Sequence, residues 1–212
     1  MTSGSARARA GLLLIVAVLG FAVAASAGPI YVSIGPGADY PGTSELDNAG
    51  ARVNAERDPV HLEAGAYWVL SSSIKTGDAD GYVTPFLATG TPANYTVVWL
   101  GDQFDPQGSG IQTDAYAAGV EKLVLASPMD VYAGFYQSNN MVYLVSNDGR
   151  TDHANNLGEP TAVGDAVTGF SHANWPRTYA FEVTLEYIPE PATLGLLALG
   201  GLGLLRRRRR GR

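Results

Sequence analysis

The 212-residue chain contains no cysteine. That excludes disulfides, thiol catalysis, Cys-ligated metal centres and the acylated cysteine of a bacterial lipoprotein. Any folded domain must hold together by its core alone. Cations are almost as scarce. Between Gly28 and Ile188 there are only Arg52, Arg57, Lys75, Lys122, Arg150 and Arg177, six against 19 of the chain's 20 acids, a net charge of −13. So acidic a stretch repels nucleic acid and anionic lipid, and neither is an expected partner. It suits a soluble surface protein, and it would suit divalent cations. Within the same stretch no segment of twelve residues or more carries a helical apolar period. There is no internal repeat. The three histidines, His61, His153 and His172, form no His-Glu-x-x-His pattern. P-loop, Rossmann-glycine and haem motifs are absent too, and no cofactor is expected.

Long apolar runs are confined to the two ends. Arg7 and Arg9 precede a continuous apolar stretch from Gly11 to Ala24, and Ala25-Ser26-Ala27 is an Ala-x-Ala cleavage site. This is the order of a secretory signal peptide, with Gly28 as the mature N-terminus; an uncleaved N-terminal anchor is the alternative. The other end reads Ile188-Pro189-Glu190-Pro191-Ala192-Thr193, then an apolar run from Leu194 to Leu205, then Arg206, Arg207, Arg208, Arg209 and Arg210. From Ala192 to Leu205 there are 14 uncharged residues, against the roughly 20 of a comfortable membrane span. The arginine block keeps the tail on the cytoplasmic side. Physically this is a short stop-transfer helix with everything before it exported.

Pro-Glu-Pro, a small hydroxyl residue, a Gly/Leu-rich run and an arginine cluster, in that order, closely resemble the PEP-CTERM sorting signal of Gram-negative bacterial surface proteins. The resemblance implies processing by an exosortase, a membrane peptidase or transpeptidase that removes the anchor. It assigns the sorting role to Pro189, Glu190, Pro191 and Arg206 to Arg210. The expected organisation is a signal peptide over residues 1–27, an extracytoplasmic domain over 28–188 and the sorting signal over 189–212. The protein would be exported through the inner membrane and held there transiently by its C-terminal helix. After processing it would be at the cell surface or outside the cell.

The central stretch of about 160 residues is the size of one domain. Alternation with period two recurs along it. In Thr178 to Tyr187, the residues Tyr179, Phe181, Val183, Leu185 and Tyr187 fall on one face and Ala180, Glu182, Thr184 and Glu186 on the other, as in a half-buried antiparallel strand. Val131–Tyr136 and Met141–Val145 flank Ser138-Asn139-Asn140 and predict a hairpin. Asn147-Asp148-Gly149 follows as a turn. Further strands are expected at 30–34, 52–55, 60–62, 66–72, 82–88, 95–100 and 122–125. Gly119 to Leu125 fits a helical turn as well as a strand, and Asn155 to Asp165 reads as a loop. Many short strands between Gly, Asn, Asp and Pro turns argue for an all-β fold, an antiparallel jelly-roll-like β-sandwich. Leu62 to Asp148 resembles uncharacterised extracellular sandwich domains of other PEP-CTERM proteins, and that resemblance names no ligand.

Candidate sites are few. His61 alternates with Val60 and Leu62 and is expected to be exposed. Asp152 and His153 are adjacent in a loop and point apart, so they form no dyad. Gly169-Phe170-Ser171-His172-Ala173 approaches a nucleophile elbow but lacks its second glycine. Asp78-Ala79-Asp80-Gly81 begins like a calcium loop, yet Tyr82 and Thr89 stand where an EF-hand needs its later ligands. Asp78 and Asp80 are therefore the nearest approach to a metal site, with an acidic β-turn as the alternative. Trp68 and Trp99 lie in apolar strands and are expected in the core. Trp175 lies in a loop, and with Arg177 and His172 it is the candidate for stacking a sugar ring; otherwise it plugs the end of the core. The resulting expectation is a non-enzymatic structural or binding protein of the envelope or extracellular matrix. A carbohydrate-binding module with an extracellular polysaccharide partner is the alternative, and a secreted hydrolase the third.

Overall fold

The computed structural model describes residues 28–34, 43–47, 51–79, 81–108, 110–117, 119–139, 141–146, 151–155, 158–170 and 178–188. Among them there are fifteen strands and no helix. One antiparallel sheet of eight strands runs β1 (Ile30–Ile34), β15 (Phe181–Ile188), β5 (Gly65–Ala79), β11 (Met141–Ser146) and β14 (Thr178–Tyr179). There β2 (Thr43–Asp47) joins β11, while β8 (Gly110–Ala115) and β9 (Lys122–Leu125) join β5. The second sheet has seven strands in the order β12 (Thr151–Asn155), β3 (Arg52–Glu56), β10 (Met129–Gln137), β6 (Val83–Thr91), β7 (Asn94–Leu100) and β13 (Ala166–Thr168), with β4 (Val60–Leu62) on β10. The N-terminal signal and the C-terminal hydrophobic run lie outside the described residues.

The sheets meet through their apolar faces. Tyr179, Phe181, Val183 and Leu185 are all 0% exposed. They face Val131, Ala133, Phe135, Leu87 and Trp99 of the seven-stranded sheet in one core cluster. The Phe135 ring lies 5.0 Å from that of Phe181 and 5.8 Å, edge-on, from that of Tyr179. Period-two alternation dictates this, because every second side chain of an extended strand leaves water together. At one end the interior is polar. Arg52 donates to the Tyr179 hydroxyl at 3.2 Å, and the Asn54 amide donates to Gln137 Oε1 at 3.2 Å. Buried groups of this kind hold a sandwich in one alignment only while each has its partner.

The seven-stranded sheet is apolar on its outer face as well. Val53, Ala55, Phe86, Ala88, Tyr95, Val97, Tyr132 and Tyr136 form a second buried cluster with Val167, and Phe170 packs against it. The expected loop from Asn155 to Asp165 thus leads into a strap that crosses this face. β13 pairs with β7, and the Phe170 ring stands edge-on to Tyr95 at 5.2 Å.

Several sequence expectations are corrected. Val131–Val145 is not a hairpin. β10 lies in the seven-stranded sheet between β6 and β3, and β11 lies in the other sheet. A strand buried from Val131 through Gln137 needs neighbours on both edges, which leaves β11 no place beside it. Ser138 is bonded to the start of β6, through Ser138 N to Tyr82 O at 3.1 Å and Tyr82 N to Ser138 Oγ at 2.9 Å. The short Asn-containing turn is a corner between sheets. Trp68 is not core: it lies on the outer face of the eight-stranded sheet, with the Lys122 ammonium 5.8 Å from its ring centroid. Asp152 and His153 lie in β12 rather than in a loop. Thr178–Tyr187 is two elements broken at Ala180, because Tyr179 pairs with β11 while Phe181 pairs with β5. β5 extends well past Ser72. β2, β8, β12 and β13 carry too little apolar alternation to be read in advance.

Candidate functional site

Glu159 is the polar centre of the strap. Its carboxylate accepts from the Tyr82 hydroxyl at 2.9 Å, from the Gln103 amide at 2.8 Å and from the Thr84 hydroxyl. Tyr82 lies just ahead of β6, Thr84 is within it, and Gln103 follows β7, so one side chain ties the strap to two strands. The Tyr82 and Tyr136 rings lie 6.1 Å apart, tilted by 45°. Beside them is a depression of about 200 Å³ lined by Gly158, Glu159, Pro160, Asp165, Ala166 and Val167. Asp165 organises its far wall. Its Oδ2 accepts from the Thr161 and Ala162 backbone amides at 2.7 and 3.0 Å and from the Thr161 hydroxyl at 3.2 Å. These bonds favour the charged carboxylate and hold its pKa below the ordinary range. The same turn docks on β7 through Val97 N to Asp165 O and Gly164 N to Val97 O.

The arrangement brings a carboxylate, an exposed amide and a concave surface together, with the Tyr82 hydroxyl bonded to the carboxylate. It can orient hydroxyl-bearing ligands. Proton transfer is less suited to it, because three donors already occupy the Glu159 carboxylate. Sequence reasoning missed the cluster, since Glu159 lies in a segment without motif or alternation and its partners come from residues 56 to 77 positions earlier.

The residues singled out from sequence are not gathered by the described structure. His172, Trp175 and Arg177 lie outside the described residues, as do Asp80, Pro189, Glu190, Pro191 and Arg206 to Arg210. Asp78 is in β5, its backbone opposite Val142. His61 is exposed and pairs through Nδ1 with Asp130 at 2.8 Å. Trp99 is core and donates its indole N–H to Glu121 at 3.3 Å. Near it, burial and the charge of Asp102 both raise the pKa of Asp114.

Tyrosine ionisation gives a pH prediction. Burial raises the pKa of Tyr67, Tyr116, Tyr132 and Tyr136, most strongly for Tyr116, and the hydrogen bond to Glu159 raises that of Tyr82. A raised phenol keeps its proton in the folded chain after the unfolded chain has lost it. The associated stability is whole below the ordinary value of 10.0 and is lost as the pH rises through the folded values. Denaturant midpoints measured upward from pH 9 should therefore fall steeply as the pH passes about 10. Phenolate absorbance from Tyr67, Tyr82, Tyr116, Tyr132 and Tyr136 should appear together with unfolding. Full ionisation of all tyrosines in a still-folded protein would contradict this.

The fold of the described residues is thus an all-β sandwich of two antiparallel sheets. The family model described as the PEP-CTERM protein-sorting motif matches residues 188–210. The chain carries the mark of an exosortase-sorted surface protein, and the motif begins at Ile188, the last residue of β15. No curated protein sequence matches the chain significantly. Among solved structures, the chain is similar to the cysteine protease and lectin-like domains of a surface layer associated protein of Clostridium difficile. The TM-score is 0.44 at 9% identity, over 76% of this chain and 36% of that one. A clostridial cysteine protease after propeptide cleavage gives 0.43 at 8%, over 76% and 40%. A structure of infectious bursal disease virus, Gx strain, gives 0.29 at 12%, over 88% and 50%. The chain spans less than half the length of the first two. Likeness at this level brings no ligand or activity to this chain.

Proposed function

We propose that the protein is an exported bacterial surface or extracellular-matrix component whose 28–188 domain acts as a structural or binding module without catalysis. A secretory leader would be removed after Ala27. The C-terminal run would anchor the chain in the membrane until an exosortase releases it at the sorting signal. The observation that carries this reading is the sorting-motif match at 188–210, which begins on the last residue of the last strand of the sandwich. The acidity of the domain supports it, since a net −13 keeps a released protein soluble and apart from anionic surfaces. Intact mass of the protein isolated from its native host tests it. The expected mass lacks residues 1–27 and at least Arg206 to Arg210. A surface fraction that still carries those arginines would contradict exosortase processing.

A carbohydrate-binding role is the second reading, favoured by the corner around Glu159. A carboxylate and an exposed amide beside a shallow depression supply hydrogen bonds of the kind that sugar hydroxyls need. His172, Trp175 and Arg177 follow Phe170 closely in sequence and belong to the same proposal. An oligosaccharide array probed with the full chain and with its Gln103→Ala variant tests it. Gln103 is exposed, so the variant should fold normally and lose about tenfold or more in affinity for any glycan bound at this corner. Equal binding by both proteins would place the glycan elsewhere, and no binding by either would leave the structural role.

A further inference from the structure

β15 runs to Ile188, and only Pro189 to Thr193 separate it from the apolar run that begins at Leu194. Such a segment spans at most about 20 Å when fully extended. If that run is the membrane anchor proposed above, the C-terminal end of β15 is within this reach of the membrane for as long as the signal is attached.

That end is apolar on its outer face. Ile188 pairs with Ala66, and Ala66 pairs on its other side with Val124, making one row across β15, β5 and β9. The chain neighbours Tyr67, Leu123 and Leu125 are buried in the core between the sheets. Alternation therefore turns the Ile188–Ala66–Val124 row outward, and Val124 is 65% exposed. The next outward row is Glu186, Trp68 and Lys122. The flanking loops, Glu63-Ala64 and Ala126-Ser127-Pro128, are exposed and carry one charge, that of Glu63. An apolar rim with a tryptophan and a lysine one step behind it is the pattern of a surface at a lipid–water boundary. The indole sits at headgroup level, and the lysine stem lies along the apolar zone while its ammonium stays wet.

We infer that this edge of the eight-stranded sheet rests on the headgroup layer of the membrane while the sorting signal is uncut. The inference rests on the proposed anchoring by the C-terminal run. The contact is to neutral headgroups through apolar side chains, since a domain of net −13 is repelled by anionic lipid.

The cysteine-free chain accepts single labels cleanly. An environment-sensitive dye is placed on Val124→Cys, Ile111→Cys or Leu197→Cys in the full chain, which is then reconstituted in phosphatidylcholine vesicles. Ile111 pairs with Lys75 of β5, roughly 30 Å along that strand from Ala66. The expected result is a blue shift and quenching by headgroup nitroxide lipid at 197 and 124, with no change at 111. A shift at 197 without one at 124 overturns the docked edge and leaves the anchor standing. No shift at 197 overturns the anchor, and the docked edge with it. A shift at 124 that needs added membrane peptidase would make the occupant a protein and overturn the lipid contact.

Discussion

Phe181→Ala should destabilise the protein by about 3–5 kcal/mol, while Glu182→Ala, one residue away, should change stability by less than about 1 kcal/mol. Phe181 is 0% exposed and its ring meets Phe135 across the two sheets. Truncation removes the transfer energy of the ring and leaves a cavity that stiff β-sheet backbones on both sides cannot close. Glu182 points to the other face, where it is half-buried and water weakens the interactions it makes. Urea unfolding of the two variants at neutral pH decides the matter. Equal effects would mean that the strand is in the wrong register, since a slip of one residue exchanges the two faces.

That contrast was legible in the sequence because β15 alternates cleanly and its neighbours are fixed by burial. β5 shows where legibility stops. Its alternation fades at Ser71-Ser72-Ser73, and a sequence reading ends the strand there. Ser72 and Thr76 are nonetheless 0% exposed. Ser72 Oγ meets the Tyr116 hydroxyl at 3.2 Å, and the Thr76 hydroxyl donates to the Gly108 carbonyl at 2.8 Å. Small hydroxyl residues satisfied by distant partners are as much interior as valine, but nothing local marks them. The same holds for Arg52, Asn54 and Gln137, which look like surface residues and lie inside the sandwich.

Pairing was less legible than burial. The apolar segments on either side of Ser138 and Asn139 look like the arms of a hairpin, yet they serve different sheets. Alternation specifies which face is buried and says nothing about which strand lies alongside. The corner around Glu159 was invisible for a related reason. Its donors come from two segments, one at the start of β6 and one after β7, that only the finished topology brings against Glu159. The sorting signal was the opposite case, because its information is linear: a fixed order of residue types along the chain survives without any fold.

Gly134→Ala should be among the most damaging single-methyl additions available in this protein, at about 3 kcal/mol or somewhat more. Gly134 lies in the middle of β10 on the outer face of the seven-stranded sheet, directly opposite Phe86 of β6. A Cβ there would stand 2.2 and 2.4 Å from the Phe86 ring carbons Cζ and Cε2, and 2.9 Å from the Asn54 carbonyl oxygen. The glycine serves as the seat of an aromatic ring laid across it from the next strand. Phe86 is 0% exposed within the second apolar cluster, so the ring has no solvent to swing into. The Asn54 carbonyl belongs to β3 on the other side, so β10 cannot shift away either. If the clash with the ring is the cause, shortening the ring should relieve it. Gly134→Ala combined with Phe86→Leu should then be less damaging than the sum of the two single variants, by about 1–3 kcal/mol. Additive losses would instead place the strain at the Asn54 carbonyl, in the pairing of β3 with β10, and the outer aromatic layer would be an accessory to the sheet instead of the reason for its glycine.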